Sequence, residues 1–485
     1  MKEKQVKCRR SQGIDELREH LARLEDEFET PEEFSEELLR AARQAIAQLE
    51  SPAHDDTDLP FFTIDPAEST DLDQAMYLER TDDGYRVHYA IADVPNFVRL
   101  GTALDSSTRR RGQTYYLPHR KISLHPEVIS EDHGSLLPDQ TRPALLFSIE
   151  LDEQGAMGPC TLRHTLIRSR EKLDYEGAQA ELDSGQGREQ LRLLAEIGQK
   201  RRVQERERGG ASLNLPDQEV VKHNGSYRLT ARRTLPLEEA NAQISLLTGM
   251  AAARMMLEAG VGILRTMPAP EDSAIEEFRT QTELLGHRWD GSQSYGQYLH
   301  TLDIADPRQL VIMHRAAALF RGADYQVVNG QDPQDVIQAA LAAPYAHVTA
   351  PLRRLVDRFG LLTCLLISQG QQLPAELSEA LNQVPDLMRA SNAANGQISR
   401  AAVELVEAYV LKDRVGQSFE AIVLTLPESD DALQAREGNI QLVDEPVTAR
   451  FRGHSAPGSL IAVRLQLVDV GKRRVLFEEI AGPEE

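Results

Sequence analysis

The stretch FFTIDPAESTDLDQAMYLERT, beginning at Phe61, sets three aspartates, Asp65, Asp71 and Asp73, within nine residues between apolar, strand-like runs. In an extended strand residues two apart share a face, so Asp71 and Asp73 are expected to project together. A turn through PAEST could bring Asp65 back beside them. Three converging carboxylates repel unless something positive sits between them. Hard divalent cations such as Mg2+ or Mn2+ take oxygen ligands and fill that role. Aspartates also cap turns and face water, and the local pattern leaves both readings open. Gln74 follows directly. On the strand reading it points away from Asp71 and Asp73, and it reaches a metal only if the chain kinks after Asp73.

A second group of residues lies in YAHVTAPLRRLVDRFGLLTCLLI. Leu352, Leu355, Val356, Phe359, Leu362 and Leu366 recur at helical spacing after Pro351, which suits a helix start. The pattern predicts Arg353 and Arg354 in the first turn of that helix. The helix dipole disfavours cations there, but backbone N–H groups and a guanidinium fork together suit a phosphate. Pairing with acids such as Asp357 is the alternative for either arginine. Carboxylates for a metal and arginines for a phosphate are the equipment of phosphodiester hydrolysis.

The elements that must position these residues follow from the hydrophobic pattern. Ile14, Leu17, Leu21, Leu24 and Phe28 predict one amphipathic helix, and Phe34, Leu38, Leu39, Ala42, Ile46 and Leu49 a second. Thr30, Pro31 and Glu33 read as the cap, first residue and capping-box acid of the second helix. Residues 1–58 are thus expected to form a helical hairpin and linker, with ESPAHDDTDLP as the linker. From Phe61 to about Ile167 strand patterns dominate (YRVHYAIADV, ALLFSIELD, CTLRHTLIRS), and from about Arg188 to Lys412 helices, with short strands near SLNLP and YRLT. Strands followed by helices predict an α+β domain, assigned to 59–414. Five short strands after residue 414 fit a small OB-type barrel over 415–485. Lys472, Arg473 and Arg474 fall at its last turn, Arg450 and Arg452 on a neighbouring strand. Phe419, Phe451 and Phe477 fit its core as well as an RNA platform.

Composition narrows the setting. The 485 residues carry 54 Lys and Arg against 76 Asp and Glu, a formal net charge of −22. That argues against indiscriminate binding of polyanions over a broad basic surface, but not against a narrow, locally basic channel. No apolar run reaches membrane-spanning length, and the start MKEKQVKCRRSQG lacks a secretory apolar region. Cys8, Cys160 and Cys364 are scattered without metal-type spacing. A cytoplasmic monomer without membrane contact is the expectation.

From about Pro60 to Lys412 the chain resembles the catalytic domain of the ribonuclease II/ribonuclease R family of 3′→5′ exoribonucleases. IDPAESTDLDQA is similar to that family's pattern of an Asp, a gap of five, then Asp-x-Asp-Asp-Ala. YAIADVPNFV, TYYLPHRKISLHPEVIS and YAHVTAPLRR follow in the family's order. The last segment resembles the family's C-terminal S1 domain. The resemblance implies an RNB-type catalytic domain that hydrolyses single-stranded RNA to nucleoside 5′-monophosphates with Mg2+ or Mn2+. It implies that Asp65, Asp71 and Asp73 match three of four catalytic aspartates, and that Gln74 holds the position of the fourth, a metal ligand. It implies that Arg353 matches the arginine at the scissile phosphate, and Tyr116 the tyrosine that stacks at the 3′ end. Tyr345 and His347 match the Y-x-H before that arginine, for RNA contact or structure, and Arg354 is grouped with them as RNA-binding.

Departures from the family pattern are Gln74, Ala350 for a serine, Ser399–Arg400 for Glu-Arg, and Val261 for an aromatic. The short helical hairpin stands where the family has two cold-shock barrels. The alternative to an exoribonuclease is a catalytically impaired RNA-binding relative.

Overall fold

The computed structural model describes residues 4–7, 12–211, 217–223, 226–232, 234–330, 336–427 and 435–480. The largest sheet, of six strands, has the order His54–Asp55, Met157–Asp174, Phe61–Asp65, Gln74–Thr81, Gly84–Ala92 and Thr141–Asp152. The long strand Met157–Asp174 pairs antiparallel with Thr141–Asp152 through its first part and parallel with Phe61–Asp65 through its end. The sheet therefore curls back on itself, mixed in direction.

Strand periodicity divides its side chains between two cores. Phe62, Ile64, Met76, Leu78, Val87 and Tyr89 join helices Glu189–Arg208 and Pro236–Ala259 in one cluster. Phe61, Ala75, Ala90, Ala92, Ala144 and Leu146 join Ala42, Ile129 and Leu352 in the other. A sheet buried on both faces explains why FFTI reads as a continuous apolar run. Helices Leu355–Ser368 and Ala375–Leu411 complete the α+β domain.

The C-terminal barrel is closed, in the strand order Ser418–Thr425, Arg436–Leu442, Thr448–Gly453, Arg474–Glu479 and Leu460–Asp469. Phe451 and Phe477 are fully buried core residues, and the partly buried Phe419 packs edge-on against Phe477.

Several local expectations fail for identifiable reasons. The two N-terminal helices, Gln12–Glu27 and Glu36–Ala47, join different cores instead of forming a hairpin. Leu17, Leu21 and Leu24 pack with Ile398, Ala402 and Leu405 of the long helix, and Ala42 packs on the sheet. Ser35, not Thr30, caps the second helix, accepting from Leu38 N at 3.3 Å. The capping box is lost because Glu33 pairs with Arg120, while Arg111 donates to Glu32 O and stacks on the Phe34 ring at 3.8 Å. The expected linker contributes a strand, His54–Asp55, to the sheet. SLNLP lies outside the described residues, whereas YRLT lies in strand Ser226–Arg232. No helix among the described residues is long and apolar enough to cross a membrane.

Candidate active site

Asp65 ends its strand and Gln74 begins the next, so Asp71 and Asp73 sit in the irregular connection between them and not on a strand. Their placement comes from Leu72, which is fully buried and anchors the loop. Its N–H donates to Ser135 Oγ at 2.9 Å and its carbonyl accepts from Leu136 N at 3.0 Å. Burying one leucine contributes about 1.5–3 kcal/mol. The carboxylates on either side of it therefore have little freedom.

The facing wall is segment 345–354, tied down at nearly every residue. Gly249 of helix Pro236–Ala259 lets it approach: a Cβ there would collide with the Tyr345 ring and stand 2.7 Å from Ala346 O. Ala350 N–H donates to the buried Asp357 Oδ1 at 2.8 Å, and the Pro351 carbonyl lies 3.0 Å from His125 Nε2. Leu352 N–H donates to Asp73 Oδ1 at 2.7 Å. These contacts hold 351–354 out of the helix, which begins only at Leu355, with Arg354 as its N-cap residue. The two arginines then diverge. Arg353 is 48% exposed in its side chain, with Nε 3.5 Å from Asp73 Oδ2. Arg354 folds inward onto Asp357, Nη2 to Oδ1 at 2.8 Å, and is not free to hold a phosphate.

Tyr345 and His347 also face inward. Tyr345 is buried, and its ring packs edge-on against His347 at 5.4 Å. The Tyr325 hydroxyl lies 2.8 Å from His347 Nδ1, and burial pushes the imidazole well below its usual pKa. Of the two roles open to this pair, the geometry supports the structural one.

Gln74 uses both ends of its amide on the protein. Nε2 donates to Thr349 O, and Oε1 accepts from Tyr89 OH at 3.4 Å. Thr349 Oγ1 lies 2.9 Å from Ser245 Oγ. The amide therefore bridges the strand that follows the aspartate loop to the facing wall, a structural use of the position for which the resemblance implies a metal ligand.

Tyr116 presents a half-exposed ring beside the aspartates, and its hydroxyl donates to Asp71 Oδ2 at 3.1 Å. Desolvation, then Asp71, pushes the phenol pKa up. Two lysines not singled out by the sequence complete the surroundings. Lys121 Nζ lies 3.5 Å from Asp71 Oδ1 and 2.6 Å from Glu131 Oε1. Lys172 Nζ donates to the carbonyls of Ala67 and Ser69 at 2.6 and 2.7 Å and is a charged neighbour of Asp65. Lys121 stands inside a motif already noted, but an isolated lysine carries no signal of its partner.

Burial raises the Asp65 carboxyl to about 6, against the pull of Lys172 and with the Asp71 charge adding to the rise. Burial likewise pushes Asp73 well above the usual range, against Arg353 and the Leu352 amide. Among the described residues no group of three or more His, Cys, Asp or Glu side chains stands close enough to hold a metal ion. The donor chemistry nonetheless fits a hard divalent cation: carboxylates within electrostatic reach of one another, with the ionised forms of Asp65 and Asp73 disfavoured by burial. Asp71 and Asp73 would have to turn from Tyr116 and Leu352 to share one.

Residues 53–359 match the RNB domain family, and residues 417–480 match the RNase II-type exonuclease C-terminal S1 domain. The chain belongs to the RNB-domain family. Ribonuclease R of Aquifex aeolicus is 26% identical over 497 residues, covering 93% of this chain and 66% of that protein. The structure of Mycoplasma genitalium RNase R in complex with ribose-methylated single-stranded RNA superposes with a TM-score of 0.84 at 18% identity, covering 96% of this chain and 78% of that one. Yeast Ssd1, described as a pseudonuclease, superposes with a TM-score of 0.69 at 18% identity, covering 94% and 55%. At those identities the structural likeness shows the fold alone. The chain spans 66% of the length of the Aquifex relative and 32% of the human exosome complex exonuclease RRP44.

Proposed function

We propose that this chain hydrolyses single-stranded RNA from the 3′ end, releasing nucleoside 5′-monophosphates, with Mg2+ or Mn2+ as cofactor. The observation that carries the reading is the meeting of Asp73 with Arg353, a buried carboxylate beside a solvent-reaching guanidinium. Asp65, Asp71 and Asp73 would hold the divalent ion, which when bound supplies activation of water and neutralisation of phosphate charge. Arg353 forks onto phosphate oxygens and stabilises the charge that grows on them. Tyr116 stacks its exposed ring on the terminal base while its hydroxyl stays on Asp71. The likeness to ribonuclease R supports the substrate class, and the free thiols Cys160 and Cys364 are consistent with a cytoplasmic setting.

A second reading, a catalytically silent RNA-binding protein, is favoured by Gln74. Where the resemblance implies an aspartate, this amide is committed to Thr349 and Tyr89. End-labelled single-stranded RNA with Mn2+ separates the two. A ladder of shrinking products and released 5′-monophosphates supports the nuclease, and a shifted but intact band supports the silent binder.

A further inference from the structure

The hairpin that presents Tyr116 to the aspartates is short, with Tyr115–Tyr116 paired to Lys121–Ile122. Two residues per strand do not hold such a hairpin by themselves. Outside contacts hold it: Thr114 N–H donates to Arg353 O at 2.9 Å, Lys121 pairs with Glu131, and helix Gln12–Glu27, which precedes the RNB match, supports its apolar side and its turn. Tyr115, Leu117 and Ile122 lie in the same apolar cluster as Leu17, Leu21 and Leu24 of that helix. At the turn, His119 Nε2 lies 2.6 Å from Glu25 Oε1, and Arg120 Nε lies 2.9 Å from both Glu25 oxygens. The Glu25 side chain is 12% exposed, and against burial the Arg120 and His119 contacts hold its carboxyl below the usual range. The turn of the hairpin thus grips Glu25, while Tyr116 and Lys121 face Asp71.

We propose that Glu25 is a positioning residue for the 3′-end site, fixing the hairpin so that Tyr116 and Lys121 keep facing Asp71 and thereby setting where degradation stops. The link to degradation rests on the nuclease reading above. A carboxylate desolvated between a guanidinium and an imidazole favours one geometry, because displacing the turn leaves a buried charge uncompensated. Tyr115 is paired with Ile122 and Tyr116 with Lys121, so the two pairs occupy opposite faces of the hairpin. Anchoring the first pair on the helix therefore orients the second towards Asp71.

The test compares Glu25→Gln and Arg120→Gln with Glu27→Gln, whose carboxylate on the same helix pairs with Arg473 of the barrel at 2.8 Å. Amide hydrogen exchange over residues 114–122 should rise roughly tenfold in the first two variants and stay at the parent level in the third. The shortest products from labelled RNA should lengthen or become mixed in the same two variants. Unchanged exchange in both overturns the proposal, as does faster exchange with unchanged end products in an active parent. A parent that degrades no RNA overturns the nuclease reading instead, and the exchange comparison then still decides whether Glu25 holds the hairpin.

Discussion

Arg353 Nε stands 3.5 Å from Asp73 Oδ2, while the neighbouring Leu352 N–H donates to the other oxygen of the same carboxylate at 2.7 Å. Asp73 is thus the joint between two loops that are distant in sequence. One of them carries the aspartates and the other the more exposed of the two motif arginines.

Arg353→Lys should reduce the rate of RNA degradation by about tenfold to a hundredfold, because a point charge cannot reproduce a forked grip on phosphate. Its thermal midpoint should stay near that of the parent. Arg354→Met should do the reverse in kind, destabilising the fold by about 3–5 kcal/mol by stranding the buried Asp357. Denaturant unfolding and initial rates measured on both variants check the contrast.

Tyr116→Ala should change where degradation stops more than how fast it runs. Base–aromatic stacking contributes roughly 1–3 kcal/mol per base, and its loss lets the last nucleotides slip. Gel analysis of the limit products is the measurement, and an unchanged limit removes Tyr116 from the RNA path.

Gln74→Asp should lower stability by about 1–3 kcal/mol, because the shorter carboxylate cannot donate to Thr349 O and leaves that carbonyl unpaired. The metal concentration for half-maximal activity should not improve. A lower metal requirement with unchanged stability would put position 74 among the ligands.

Glu407 offers a pH prediction. It is buried at the junction of the long helix and the barrel, accepting from Gln218 Nε2 at 2.6 Å and Thr448 N at 3.0 Å. Burial raises its carboxyl to about 7. A raised carboxyl pKa contributes stability that is fully present below the unfolded value and lost as pH rises through about 7. Glu407→Gln, which imitates the protonated form, should therefore be more stable than the parent at about pH 8 and similar at about pH 4. Thermal unfolding across that range tests the sign.

The aspartate and arginine motifs are legible in the sequence because chemistry constrains residue type at fixed spacing. Their detailed geometry is not. The strand reading of Asp71 and Asp73 fails because burial of Leu72 and its bonds to Ser135 and Leu136 shape the loop. The helix start moves from Pro351 to Leu355 because Asp73, His125 and Asp357 claim the backbone before it. The capping box at Thr30 gives way to ion pairing of Glu33 with Arg120. Each loss is a long-range contact overriding a local preference, and Lys172 and Glu25 are unreadable for the same reason. The sheet-then-helix order and the final barrel are legible, since hydrophobic periodicity reports them directly.

The most direct test of the central claim is Asp73→Asn, assayed on 5′-labelled single-stranded RNA with Mn2+ alongside the parent. The amide oxygen can still accept from Leu352 N–H, so the loop joint should survive while one charge leaves the carboxylate cluster. The account predicts a ladder of shrinking products from the parent, at least about a hundredfold less from the variant, and RNA binding close to the parent's. Equal degradation by the two proteins would contradict it.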